Sequence, residues 1–192
     1  MESSMIGGRR QDEDLMGEVA RGDGAYMEPL IRRYGSPLLT FIRRMVGEAQ
    51  SEDLFQDVFA AVWMRRTQYQ YPRPFRPWLY TIAANKCRAL LRWRRAVART
   101  LEEHENAIRV RSREPDPTAP VQVALATETA VLVETAVRRL PEKQREVVVL
   151  RMWSGLSYEE IAQATGRRAG TVRSLMHHAL AALREELGPR FR

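Results

Sequence analysis

The stretch SGLSYEEIAQATGRRAGTVRSLMHHALAALREEL, residues 154–187, decides the reading of this chain. Ser157 followed three residues later by Glu160 forms a capping box, in which each side chain satisfies an amide the other leaves open, so a helix is predicted to start at Tyr158. It buries Ile161 and Ala162 and is short, because Gly166 can take the left-handed conformation that closes a helix. A second helix is expected from around Ala169 to Thr171, with Val172, Met176, Ala179 and Leu183 as its inward stripe. Two helices across a tight glycine turn make a helix-turn-helix.

In such a motif the N-terminal part of the second helix enters the major groove of DNA. The candidates to meet DNA are Arg167, Arg168, Thr171, Arg173, Ser174, His177 and His178. Arg168 and Arg173 can donate bidentate hydrogen bonds to guanine, and Thr171 and Ser174 suit phosphate oxygens. A plain helical hairpin with a solvated basic face is the competing account. Capping box, glycine turn and basic face coincide here, which favours the DNA-binding one.

Working outward, apolar positions recur three and four apart almost everywhere and no stretch alternates, so the fold is expected to be all-α. Ile31, Tyr34, Leu38, Ile42 and Met45 form one stripe, and Leu54, Phe55, Val58, Phe59 and Val62 another, each marking a helix with one buried face. A third runs through Trp78, Leu79, Ile82, Ala83 and Leu90. It follows YPRPFRP, residues 71–77, whose prolines remove amide donors and mark a loop that delivers the chain into a helix near Pro77.

Beyond Ala96 the periodicity fades, and RVRSREPDPTAP, residues 109–120, carries three prolines among charges. Two helical domains are therefore expected, over 12–96 and 122–188, joined by a flexible linker over 97–121. In the second, Leu125, Leu132, Val133, Ala136, Val137 and Leu140 open a helix ending at Pro141, which then begins the next helix. Ser154 and Gly155 break that one.

With 192 residues, the chain is long enough to bury two small cores. A net charge of +7 favours a polyanionic partner, nucleic acid before an anionic membrane. No apolar run approaches the roughly 18 residues that span a bilayer, and residues 1–16 lack a signal-peptide core, so no membrane insertion and a cytoplasmic location are expected. The single cysteine, Cys87, excludes an intramolecular disulfide or thiolate zinc cluster, and its apolar setting predicts a core residue. His104, His177 and His178 lack spaced carboxylate partners, and no phosphate-cradling glycine loop is present. No catalytic site, metal or cofactor is expected, and the chain is read as no enzyme.

Charge divides between two helices of the N-terminal half. SEDLFQDVFAAVWMRR, residues 51–66, presents Glu52, Asp53, Gln56 and Asp57, whereas FRPWLYTIAANKCRALLRWRR, residues 75–95, is basic through Lys86, Arg88, Arg92, Arg94 and Arg95. An acidic protein-docking face beside a basic face carrying aromatics suits single-stranded nucleic acid, whose bases stack on rings while the backbone follows arginines. Trp78 lies on the apolar stripe. Tyr80 points another way along the helix, so the two are not expected to be core together, and Tyr80, Asn85 and Arg88 are freer to meet a base.

These segments resemble the sigma-70 family of RNA polymerase sigma subunits, and within it the extracytoplasmic-function (ECF) group. Residues 51–63 resemble the segment that docks on the β′ clamp helices, residues 75–95 the segment that melts and reads the minus-ten element, and residues 140–185 the domain that reads the minus-thirty-five element. The resemblance implies core polymerase, through β′ clamp helices and β flap, and promoter DNA as partners. Glu52, Asp53, Gln56 and Asp57 would bind polymerase, and Trp78, Tyr80, Asn85, Lys86, Arg88 and Arg92 would face the melted strand. The loop from Arg66 to Arg76 would carry a pocket for a flipped base.

Leu175, His178 and Leu180 stand where the family often has basic residues, and Ala89 where it often has an acid or amide. The two leucines are expected to broaden the buried face of their helix. Regulation would come from outside, through an anti-sigma factor covering the DNA-binding faces. The alternative is a stand-alone helix-turn-helix regulator that binds duplex DNA without polymerase.

Overall fold

The computed structural model describes residues 11–108 and 128–188, and every regular element among them is helical. α1 (Asp12–Arg21) carries Asp12, Glu13 and Asp14 in its first turn, where carboxylates complement the helix dipole. A short 3-10 turn leads to α2 (Met27–Val46), whose buried face is Leu30, Tyr34, Leu38, Phe41, Ile42, Met45 and Val46. Ile31, placed on that stripe by its spacing, stays at the surface. α3 (Ser51–Met64) buries Leu54, Val58, Phe59 and Val62, while Phe55 is half-buried edge-on to Phe59.

α4 (Phe75–Ile108) is the spine of the molecule. Its entry is fixed from a distance, because the Glu13 carboxylate accepts the Phe75 amide at 3.0 Å and so caps one of the open N–H groups at the helix start. Phe75 then packs edge-on against Tyr34, with ring centroids 5.4 Å apart. The sequence put a linker from residue 97, but the helix runs on to Ile108. The segment RTLEEHENAI loses apolar periodicity yet consists mostly of good helix formers, and propensity extends the helix where pattern does not. The proline-rich stretch 109–120, Leu125 and the flexibility expected of the tether lie outside the described residues.

The second unit comprises α5 (Glu128–Arg139), α6 (Glu142–Met152), α7 (Tyr158–Thr165) and α8 (Ala169–Leu187). Pro141 is the N-cap of α6 and not its first residue. Ser157 and Glu160 form both bonds of the capping box: the Glu160 amide donates to Ser157 Oγ at 3.1 Å, and the Ser157 amide to Glu160 Oε2 at 2.7 Å. Gly166 has φ 67°, a left-handed position open to glycine without steric cost, and it turns the chain from α7 into α8. Val172, Met176 and Ala179 are buried and Leu183 packs against them at the edge.

The two units share one apolar core. Among the described residues the most extensive helix–helix contact is that of α7 against α4, and α6 also packs on α2. Leu156, Ile161, Val147 and Leu150 of the second unit are continuous with Phe41, Leu79, Ala83 and Cys87 of the first.

Candidate nucleic-acid and polymerase interfaces

On α3 the apolar stripe turns the other side of the helix to solvent, and Glu52, Asp53, Gln56 and Asp57 are all exposed there as one acidic, polar face. Arg43 of α2 borders it, 3.3 Å from Glu52 and 3.1 Å from Glu48. Lys86 of α4 borders the other side, with Nζ 3.2 Å from Asp57 Oδ2. These are exposed pairs in water, individually weak, and they leave the carboxylates available to a partner.

α4 departs from the sequence-based expectation. Tyr80 is 1% exposed and Trp78 8%, so both aromatics expected at a nucleic-acid surface are core residues. The reason is that α4 is enclosed on more than one side. Trp78 sits edge-on to Tyr69, centroids 5.3 Å apart, within a cluster completed by Phe75, while Tyr80 points across the helix to Phe41 at 5.6 Å. Burial raises the Tyr80 phenol pKa, and it holds the Cys87 thiol, also wholly buried, up at about 12.

Of the polar candidates on α4, Asn85, Lys86 and Arg88 are engaged by other side chains. Asn85 is exposed, and its Oδ1 accepts from Arg88 Nη2 at 2.6 Å. Arg88 Nη1 donates to Glu146 of α6 at 2.8 Å. Arg94 donates to the Val46 carbonyl at 2.6 Å and to Gln50 at 3.1 Å, tying α4 to the α2–α3 connection. Arg92 and Trp93 are exposed side by side.

On α8 most of the candidate side chains are free of the core. Arg168, Thr171, Arg173, Ser174, His177 and His178 are exposed along its N-terminal half. Arg173 donates to Glu159 at 2.8 Å across the turn and lies over the Tyr158 ring, 5.7 Å from its centroid, which aligns it without burying it. Arg167 differs: it is turned inward, donating to Glu146 Oε2 at 2.5 Å. Leu175 is half-buried and packs against the core, as expected, but Leu180 is 43% exposed and does not broaden the buried face.

Glu146 is the residue the sequence reading missed. Its side chain is 1% exposed and accepts from Arg88 and Arg167 at once, one carboxylate oxygen each. A carboxylate heading the apolar run EVVVL, whose four following residues are all buried, was the available signal, since a buried charge is retained only when paired. Among the described residues no group of His, Cys, Asp or Glu is arranged to hold a metal ion, and no helix is long and apolar enough to cross a membrane.

With this geometry in view, the comparison with known proteins is specific. Residues 30–97 match the family described as Sigma-70 region 2, and residues 130–183 match Sigma-70, region 4. The chain belongs to the sigma-70 family of RNA polymerase sigma factors. It is 30% identical to the RNA polymerase sigma-H factor of Pseudomonas aeruginosa, covering 96% of this chain and 97% of that protein. It is 31% identical to the ECF RNA polymerase sigma factor SigD of Mycobacterium tuberculosis, over 96% and 87% respectively. A solved structure of CnrH in complex with the cytosolic domain of CnrY superimposes with a TM-score of 0.68 at 27% identity, covering 93% of this chain and 97% of that one. Within the family, the chain is a factor of the ECF kind, directing transcription by RNA polymerase, and the stand-alone regulator is not favoured.

Proposed function

We propose that this factor divides its work among three surfaces: α3 docks on core polymerase, the exposed polar edge of α4 meets the minus-ten strand, and α8 reads the minus-thirty-five element. The observation that supports the first is the contiguous exposed face of Glu52, Asp53, Gln56 and Asp57, acidic in a chain of net charge +7 and therefore unsuited to DNA. For α8 the support is the exposure of Arg168, Thr171, Arg173, Ser174, His177 and His178 on one helix face behind a capped turn. On α4 the proposed strand contacts are Asn85, Lys86, Arg88 and Arg92. Trp78 and Tyr80 support them from the core, and the loop from Arg66 to Arg76 is the proposed receptor for a flipped base. The units responsible are residues 12–96 and 122–188. The factor contributes recognition and no catalysis, with no cofactor of its own, and acts in the cytoplasm.

CnrH was solved with a second polypeptide bound, the cytosolic domain of CnrY. By extension, an anti-sigma factor regulates this chain by covering the same faces.

The docking assignment is tested with core polymerase in a fluorescence-anisotropy titration. Changing Asp53→Lys and Asp57→Lys together should weaken core binding by on the order of tenfold or more, because reversed charges on a docking face turn attraction into repulsion. Undiminished binding by a folded double variant overturns it.

A further inference from the structure

Arg173 stands in solvent on α8, yet two side chains of α7 hold it from across the turn. Its Nη2 donates to Glu159 Oε1 at 2.8 Å, and its guanidinium carbon lies 5.7 Å from the centroid of the Tyr158 ring. Tyr158 is itself fixed. Its ring packs against the apolar core, and the Arg151 guanidinium lies 5.1 Å from its centroid, anchored by a 2.9 Å hydrogen bond to the Leu156 carbonyl. The capping box of Ser157 and Glu160 sets the first turn of α7, so Tyr158 and Glu159 leave the helix start in defined directions. Arg168, exposed at the N-cap of α8, has no such brace among the described residues.

The ion pair adds little to stability, because Arg173 and Glu159 are 57% and 63% exposed and water screens them. Its effect falls on the freedom of the arginine. A side chain that reads a base loses rotamers on binding, and one already aimed loses fewer. Glu159 takes one N–H of the planar fork through Nη2 and leaves the rest, enough for the bidentate pair that guanine accepts at O6 and N7. The same carboxylate repels a phosphate, which turns this arginine towards a base edge and away from the backbone.

We propose that Glu159 and Tyr158 are positioning residues that hold Arg173 in the orientation from which it reads a guanine of the minus-thirty-five element, so that α7 sets part of the specificity of α8. This rests on the reading of α8 as the helix that meets that element.

The test uses the full chain with core polymerase and a set of promoter duplexes in which each base pair of the upstream element is varied in turn. Arg173→Ala should remove the preference at one G·C pair, a loss of on the order of tenfold. Glu159→Ala should relax the preference at that same pair by about threefold or more, leave the other pairs as they are, and do nothing further once Arg173 is already alanine. Glu159→Gln keeps a hydrogen-bond acceptor and should recover part of the preference. Tyr158→Phe keeps the ring and should read as native, whereas Tyr158→Leu should not. A denaturation midpoint close to the native one checks that the exposed Glu159 site leaves the fold intact.

An equal change at every base pair in Glu159→Ala, the mark of a charge removed near DNA and nothing more, overturns the proposal. So does a relaxation that persists undiminished in the Arg173→Ala background, or an Arg173→Ala chain that keeps its preference at every G·C pair. A native holoenzyme indifferent to every upstream base pair would instead sink the reading of α8 beneath it.

Discussion

α4 and α8 both carry arginines at positions proposed to face DNA, yet the fold uses them in opposite ways. On α8 the candidate side chains stand in solvent on a helix anchored by Val172, Met176 and Ala179 beneath them. On α4 the same kinds of residue are engaged by the protein, Arg88 with Glu146 and Arg94 with Val46 in part-buried contacts and Lys86 with Asp57 at the surface, and the aromatics are core. The difference follows from position. α8 buries a single face, through Val172, Met176 and Ala179, while α4 is the helix around which α2, α3 and α7 assemble. A peripheral helix can devote a face to a ligand, whereas a central one serves packing first.

Breaking the comparison most forcefully means cutting into α4. Tyr80→Ala removes a fully buried ring that packs on Phe41 and should cost about 3–5 kcal/mol of stability in chemical denaturation. On α8, Arg168→Ala or Arg173→Ala should instead leave stability unchanged and cost on the order of 1–3 kcal/mol in promoter binding by the holoenzyme. Relaxed preference at one base pair would mark base reading. Uniform weakening with a shallower salt dependence would mark a phosphate contact.

Ser157→Ala lies between these cases. It deletes one half of the capping box that sets α7 against α8, and should destabilise the second unit by about 0.5–2 kcal/mol, measurable as a lower denaturation midpoint at unchanged slope. Smaller still is Tyr80→Phe. Among the described residues the buried hydroxyl makes no well-formed hydrogen bond and has Ser154 as a polar neighbour, so its loss should change stability by less than about 1 kcal/mol and leave promoter opening intact. Lost opening at native stability would return Tyr80 to the nucleic-acid surface.

The second unit was legible in sequence because its instructions are local. A serine three residues before a glutamate, a glycine and a four-residue stripe each act within one or two turns, and α7 and α8 start where they direct. The acidic face of α3 was legible for the same reason. What stayed hidden depends on contacts far apart in the chain. Trp78 and Tyr80 are two residues apart and so point about 200° apart on a helix, which on a helix with a single buried face cannot both be core. Only the packing of α4 against several neighbours buries both. Glu146 is hidden likewise, since its partners lie 58 residues before it and 21 after. The extent of α4 beyond Ala96 was missed because polar helix formers carry no apolar period.

The central claim is that this chain gives core RNA polymerase its promoter specificity through two separate DNA-facing helices. Run-off transcription from a library of promoter fragments, with core polymerase alone and with the chain added, tests it most directly. The account predicts discrete transcripts only when the chain is present, from templates sharing two short elements at a fixed separation. Transcription no different from core alone, together with tight binding of the isolated chain to a palindromic duplex, would contradict it.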